Sequence, residues 1–341
     1  MKKVAVHIPS DGPHPTHWST LWLRLNDPRF KFEKINLLDC DLQSVANNFD
    51  CILWCVDHYR REETELATSI IDFFESNGLK TFPTSKDLKL FDDKAYQSLI
   101  MSAKKISTPK FHLYYSKNQA LKFSKDTKYP IVVKLKRGSG SQNVSLIKNR
   151  RELNAFINKI FSKGIKSSPR IGFKVWSQTQ SAKSIGDVLS RVKKIPGFIK
   201  NLKISKSLPV ERGYIYAQEW IENSGYDIKV VIVNGKLTAF GRKVRKGDFR
   251  ASGSGDIIHD DSIINNKIIS TAINAYDALE LSCVGFDFVI DSNNNTPYII
   301  EMCFGFSNEA ALAFGKYYDI QNKVWVNRPL DASLEVLDYL E

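Results

Sequence analysis

The chain has 341 residues, 43% of them apolar and 25% charged, enough for two or three domains that each bury a core. Its 20 Phe, 13 Tyr and 6 Trp exclude disorder as the main state, and no stretch approaches the roughly 20 apolar residues of a bilayer span. Lys and Arg outnumber Asp and Glu by 49 to 37, a net charge of +12, and residues 163–212 alone carry twelve basic side chains and two acids, so ten of the twelve net charges sit in that segment.

At the N-terminus, MKKVAVHIPSDG has too short an apolar run for a secretory signal. The five cysteines (Cys40, Cys51, Cys55, Cys283, Cys303) are odd in number and lack Cys-x-x-Cys spacing. A reduced, cytoplasmic protein with neither disulfide framework nor zinc site is expected. Residues 3 to 83 alternate the β runs VAVHI, FEKINLL, DCILWCV and LKTFP with helical spacing over Thr16 to Leu25 and over Glu62 to Ser76, where Leu66, Ile70, Phe73 and Phe74 recur. That order predicts a small parallel sheet covered by helices.

From Phe91 the pattern changes. A helix over Lys94 to Lys104, the β run KFHLYY, a helix over Ser116 to Ser124 and a strand over Pro130 to Leu135 lead into a glycine-serine loop, Arg137 to Gln142. A strand (Val144 to Ile147) and a helix (Arg151 to Phe161) follow. Beyond the basic segment come β runs over Tyr214 to Ile221, Asp227 to Val233 and Leu237 to Val244, the last two joined by Asn234-Gly235, a hairpin turn. A helix (Ser262 to Leu279) and strands over Val284 to Ile290 and Pro297 to Met302 complete the pattern.

Three constellations carry chemistry. In YPIVVKLKRGSGSQNV a strand ends in Lys134 and opens into a small-residue loop whose N–H groups can cover phosphates; an ordinary glycine-rich turn has the same composition. Asp287 in GFDFVI and Glu301 in YIIEM lie on consecutive apolar strands, where buried acids need a cation, a hydrogen-bond network or a metal. Mg²⁺ bridging nucleotide phosphates suits two such oxygen ligands, and Arg242, Lys243 or Arg245 are alternative partners. Residues 217–252 combine Gln-Glu-Trp-Ile, Asp227 two residues before Lys229, and Arg242, Arg245 and Arg250, a set able to clamp developing negative charge or to line a solvated hairpin edge.

Taken in order, helical lysine, strand-lysine-glycine loop, Gln-Glu-Trp-Ile, Asp-x-Lys, an arginine run ending in Gly-Asp-Phe-Arg, and Asp and Glu on the last strands, the segment 85–310 resembles the ATP-grasp superfamily, in particular its RimK-like branch, which is also similar to glutathione synthetase. The resemblance implies an α/β (α+β) protein: an N-terminal parallel-sheet α/β domain (1–85), then a two-subdomain ATP-grasp fold (86–162 and 213–341) interrupted by a basic, helical insertion (163–212). It implies that Lys94 and Lys134 hold the ATP phosphates under Gly138, Ser139, Gly140 and Ser141. Glu219, Trp220 and Ile221 would edge the adenine and Asp227 the ribose, with Lys229 beside it. Arg242 would reach the phosphates, Arg250 an acyl phosphate, and Asp287 and Glu301 would ligate Mg²⁺. The activity implied is ATP-dependent ligation of a carboxylate to an amine. Alternatives are an ATP-binding sensor or scaffold without turnover and a phosphotransferase.

One position departs from the family pattern. Its last strand carries Glu-x-Asn with the Asn as a third metal ligand, whereas here Glu301-Met302-Cys303 offers a thiol that a hard cation disfavours. A water or Asn308 can supply the missing oxygen, one of two metals can be weaker, or catalysis can be impaired. His14 and His17 in DGPHPTH suit solvated loop positions better than contact with an acceptor. Within the basic segment, Ile185, Val188, Leu189, Val192 and Ile195 recur at helical spacing among Lys183, Arg191, Lys193 and Lys194. Such a helix suits an anionic membrane face, a polyanionic acceptor such as a uronic-acid glycan or lipid-linked precursor, or a flap with solvated lysines. Sparse aromatics make nucleic acid the least supported partner.

Overall fold

A computed structural model of the chain describes residues 1–9, 17–56, 61–138, 143–166, 210–244, 249, 256–258 and 263–341. It divides into two compact units: Met1–Thr108 with Glu222–Val244 and Ser254–Glu341, and Pro109–Ile221 with Arg245–Gly253.

The first unit opens with β1 (Lys2–His7), α1 (Trp18–Arg24), β2 (Phe30–Ile35), α2 (Leu42–Asn48), β3 (Cys51–Leu53), α3 (Arg61–Ser76) and β4 (Lys80–Phe82). The strands form the expected parallel sheet, in the order β2-β1-β3-β4. Val4, Ala5, Val6, Ile52, Leu53 and Trp54 are wholly buried, as continuous apolar strands covered on both faces require. Two helices follow, α4 (Ser85–Leu90) and α5 (Lys94–Ala103). Thr84 caps α4 in a reciprocal box with Asp87, and Asp93 caps α5 by accepting from Tyr96 N.

The second unit holds β5 (Phe111–Tyr114), α6 (Lys117–Asp126), β6 (Ile131–Lys134), β7 (Val144–Ile147), α7 (Arg150–Ile160), β8 (Ile165–Lys166), β9 (Val210–Glu211) and β10 (Ile215–Glu219). Its antiparallel sheet runs β5-β10-β6-β7, and β8 pairs with β9.

The chain then returns to the first unit with β11 (Tyr226–Val233), β12 (Lys236–Lys243), β13 (Ile257–Ile258), α8 (Asn266–Leu279), β14 (Cys283–Ile290), β15 (Pro297–Cys303), α9 (Asn308–Leu312), β16 (Tyr317–Asp319), β17 (Val324–Val326) and α10 (Ala332–Leu340). A second sheet forms in the order β15-β14-β11-β12-β16-β17, with β13 on β12. Asn234 and Gly235 both take positive φ, 46° and 70°, which is the turn their sequence specifies. Helix α8 buries Ile268, Ala272 and Ala275 with Ile228, Val230, Phe286 and Phe288 of this sheet. Helix α10 buries Val336, Leu337 and Leu340 in the core of the parallel sheet.

The units cut across the segments expected from the sequence. Helix α5, expected with the glycine loop, belongs to the first unit, because Gln97 binds both main-chain groups of Met302 on β15. Strand β10, expected to open the second half of the fold, pairs with both β5 and β6. Residues 167–209 lie outside the described residues, and with them the helix expected around Ile185 to Ile195.

Candidate active site

Sheet register assembles the charged residues of the first unit. Asp227 faces Arg242 across β11 and β12, Lys229 faces Asp287 across β11 and β14, and Asp287 faces Glu301 across β14 and β15. Side chains alternate along a strand, so Asp227 and Lys229, two residues apart, share one face, and their cross-strand partners share it with them. Arg242 grips Asp227 with Nε 2.6 Å from Oδ1 and Nη2 2.9 Å from Oδ2, and the same Nη2 lies 3.1 Å from Asp287 Oδ2. Lys229 Nζ is 2.7 Å from Asp287 Oδ1 and also donates to Gly285 O at 3.3 Å.

Asp227, Lys229 and Asp287 are buried, and the Arg242 side chain is only 11% exposed. Burial alone would raise the Asp287 carboxyl, but Arg242 and Lys229 outweigh it and bring it down to about 2. Burial pushes Asp227 up to about 6, against the pull of Arg242 and with the added push of Asp287. A Cβ at Gly285 would meet Lys229 Cε at 2.7 Å, so the glycine makes room for the lysine stem.

Lys94 opens α5 with its side chain only 1% exposed and its Nζ 3.2 Å from Glu301 Oε1 and 3.4 Å from Asp92 Oδ1. Burial presses it toward neutrality, yet Glu301 and Asp92 outweigh that and hold it above an ordinary lysine. What fixes α5 against β15 is Gln97, one helical turn on, whose Nε2 donates to Met302 O at 2.8 Å and to Leu90 O at 2.7 Å while its Oε1 accepts from Met302 N at 3.1 Å. Asp92, Gln97 and Gly285 were not singled out in the sequence. The isolated glycine in the strand CVGFDFVI was the one readable signal among them.

Among the described residues, no three His, Cys, Asp or Glu side chains converge into a metal cage. Asp287 and Glu301 nonetheless offer the carboxylate oxygens that Mg²⁺ takes when substrate phosphates supply the rest of its shell, and these two residues fit such an ion. Cys303 does not. Its Sγ accepts from Gly305 N at 3.1 Å. Asn308 is held elsewhere, its Oδ1 accepting from Ala332 N at 2.9 Å and its Nδ2 donating to Asp331 Oδ1 at 2.8 Å.

In the second unit, Lys134 ends β6 almost fully buried, opposite Tyr216 on β10, and Gly138 takes a φ of 118°. Glu219 N donates to Lys110 O at 2.8 Å, tying the end of β10 to the start of β5, and Trp220 and Ile221 follow. Ser139, Gly140, Ser141, Arg245 and Arg250 lie outside the described residues, as does His14.

Residues 198–319 match the sequence profile of the RimK-like ATP-grasp domain. Phosphoribosylamine–glycine ligase of Caldanaerobacter subterraneus subsp. tengcongensis is 30% identical over 104 residues, 30% of this chain and 25% of that protein. Its Fusobacterium nucleatum counterpart is 26% identical over 101 residues, 29% of this chain and 24% of that protein. The match therefore spans about a quarter of these relatives. Among solved structures, a RimK domain ATP-grasp protein from Sphaerobacter thermophilus superposes with a TM-score of 0.57 at 11% identity over 99% of both chains. A D-alanine–D-alanine ligase from Bacillus anthracis complexed with ATP gives 0.57 at 14% identity over 100% of both. These likenesses carry the fold.

Proposed function

We propose that the chain is an ATP-dependent carboxylate-amine ligase, on the RimK-like ATP-grasp domain matched over residues 198–319 and a fold shared with an ATP-grasp protein. The observation that carries the proposal is the buried charge array of the first unit. Burying Asp227, Lys229, Asp287 and Lys94, with Arg242 only 11% exposed, is costly for stability alone, and fixed cations of this kind suit a phosphoryl group in transfer from ATP to an acceptor.

In the proposed reaction, a substrate carboxylate oxygen attacks the γ-phosphorus of ATP. The bond to the β,γ-bridging oxygen breaks, ADP leaves, and an acyl phosphate forms. An amine then attacks the acyl carbon, and phosphate departs as the amide closes. No side chain becomes covalently attached, so the residues act by position and charge. Lys94 and Lys134 neutralise ATP phosphates under the Gly138–Ser141 loop. Glu219, Trp220 and Ile221 edge the adenine, and Lys229 and Arg242 set the field at the transferring group. Asp227 holds Arg242 through both carboxylate oxygens and is assigned to the ribose hydroxyls. Arg250 is assigned to the acyl phosphate. Asp287 and Glu301 would hold Mg²⁺, which supplies charge neutralisation at the phosphates.

The test is ADP release on addition of ATP and Mg²⁺ with paired carboxylate and amine mixtures. The proposal expects ADP that requires both partners and appears with an amide product. ADP without amide would make the protein a phosphotransferase to another acceptor. ATP binding with no ADP under any mixture, unchanged in Cys303→Asn, would make it a sensor and sink the ligase proposal.

A further inference from the structure

A second cleft lies wholly within the second unit, with a volume of about 570 Å³, in the range of small-molecule sites. Its position follows from strand parity. His112 on β5 faces Ala217 on β10, and Glu219 lies two residues on, so His112, Ala217 and Glu219 share one face of the sheet. Lys134 faces Tyr216, the neighbour of Ala217, and therefore points to the opposite face. Helix α6 covers the His112 face, with the Phe123 ring 4.4 Å from the imidazole. The cleft is lined by His112, Phe123 and Glu219. It thus opens behind the sheet, on the face opposite the lysine assigned to phosphate, and shares Glu219 and Trp220 with the strand end assigned to adenine.

Its chemistry differs from a phosphate site as well. Lys110 and Lys128 on its rim are matched by Asp126 and Glu219. Burial and the nearby Lys110 charge push the His112 imidazole below its ordinary pKa, so it stays neutral at neutral pH. Two cations, two carboxylates and a floor of His112 and Phe123 rings suit neither a polyanion nor a simple hydrocarbon. The rim charges are free to turn toward a ligand at little cost. Lys110 and Glu219 meet at 3.6 Å with side chains 69% and 50% exposed, a weak, solvent-screened pair.

We propose that this cleft binds a small zwitterion bearing a flat apolar group, of the class of an aromatic amino acid. The ring lies on His112 and Phe123, the ammonium turns to Asp126 and Glu219, and the carboxylate to Lys110 and Lys128. Trp220 completes the lining and touches Phe249 edge-on at 5.8 Å between centroids. Occupancy therefore bears on the strand end that the ligase proposal assigns to adenine, although the site itself stands without that proposal.

The experiment is saturation-transfer NMR on the full chain with L-phenylalanine, phenylacetate and phenethylamine, each with and without a non-hydrolysable ATP analogue. The zwitterion is expected to bind at least tenfold more tightly than either singly charged compound and to remain bound when the analogue is saturating. Asp126→Lys and Lys128→Glu, both at exposed positions, are each expected to weaken it tenfold or more while the analogue still binds. The site is overturned if L-phenylalanine does not bind, if the analogue displaces it, if the singly charged compounds bind as well, or if neither variant weakens it. Failure of the ligase proposal appears separately, as absence of binding by the ATP analogue itself.

Discussion

Asp287 is the residue on which the array turns, because it lies within 3.1 Å of both Lys229 and Arg242. Asp287→Asn leaves Lys229 buried without a carboxylate at contact distance, and a lost partner of this kind costs about 3–5 kcal/mol. A clear fall in the denaturant midpoint at neutral pH is expected; an unchanged midpoint would show that the ion pairs are not formed in solution. The pH dependence has a definite sign. The folded-state pKa of Asp287, about 2, lies below the roughly 3.9 of an unfolded aspartate, so its contribution is complete above about pH 4 and is lost as pH falls toward 2. The wild type is expected to lose stability more steeply than Asp287→Asn across that window, measured by chemical unfolding at each pH. Gly285→Ala makes a subtler lesion. The added methyl meets the far end of Lys229 rather than backbone, so the fold is expected to lose no more than about 1–3 kcal/mol. The lysine is displaced from Asp287, and ATP affinity should fall about tenfold or more by isothermal titration. Unaltered ATP affinity would remove Lys229 from the site. Asp287 was legible as a buried acid from its apolar surroundings, whereas Glu301, expected to be buried likewise, keeps 23% of its side chain exposed. The company Asp287 keeps was not legible, because Lys229 comes to Asp287 only through the pairing of β11 with β14, which joins positions 58 residues apart.

At the scale of elements, the hairpin β11–β12 was the most legible feature, since Asn234-Gly235 admits the positive φ values the turn requires. Helix α10, capped by Asp331 and burying Ala332, Val336, Leu337 and Leu340, does not figure among the expected elements. Its partner, the parallel sheet at the other end of the chain, left no local trace. The attachment of α5 belongs to the same class. Nothing in FDDKAYQ distinguishes Gln97 from a solvated helical glutamine, because its three hydrogen bonds run to Leu90 and to Met302, the latter 205 residues away. Gln97→Leu is expected to leave the Met302 N–H and two carbonyls without these partners in a buried setting, at about 1–3 kcal/mol for each group left unsatisfied. Lys94 sits at the first position of the helix so released. Km for ATP should therefore rise more than kcat falls, and a variant with wild-type kinetics would show that Lys94 is positioned without α5 being anchored.

For the whole molecule, the charge is unevenly placed, and the fold gives that asymmetry meaning. The cations of the first unit's array are each balanced within about 3.5 Å by carboxylates, so the array contributes little to the net +12. Ten of those charges belong to residues 163–212, inserted between α7 and β10 of one unit. The cations proposed for ATP are elsewhere, and under the ligase proposal the charge of this segment suits an anionic acceptor. Reversing three charges, Arg191→Glu with Lys193→Glu and Lys194→Glu, lowers the local charge by six. The wild type is expected to bind polygalacturonate, a uronic-acid polymer, with retention that falls as salt shortens the Debye length from about 10 Å at 0.1 M to 3 Å at 1 M. The reversed variant should lose that retention while binding ATP normally. Retention by both proteins would move the acceptor site off this segment; retention by neither, with binding to phosphatidylglycerol vesicles by the wild type alone, would make the segment a membrane contact instead.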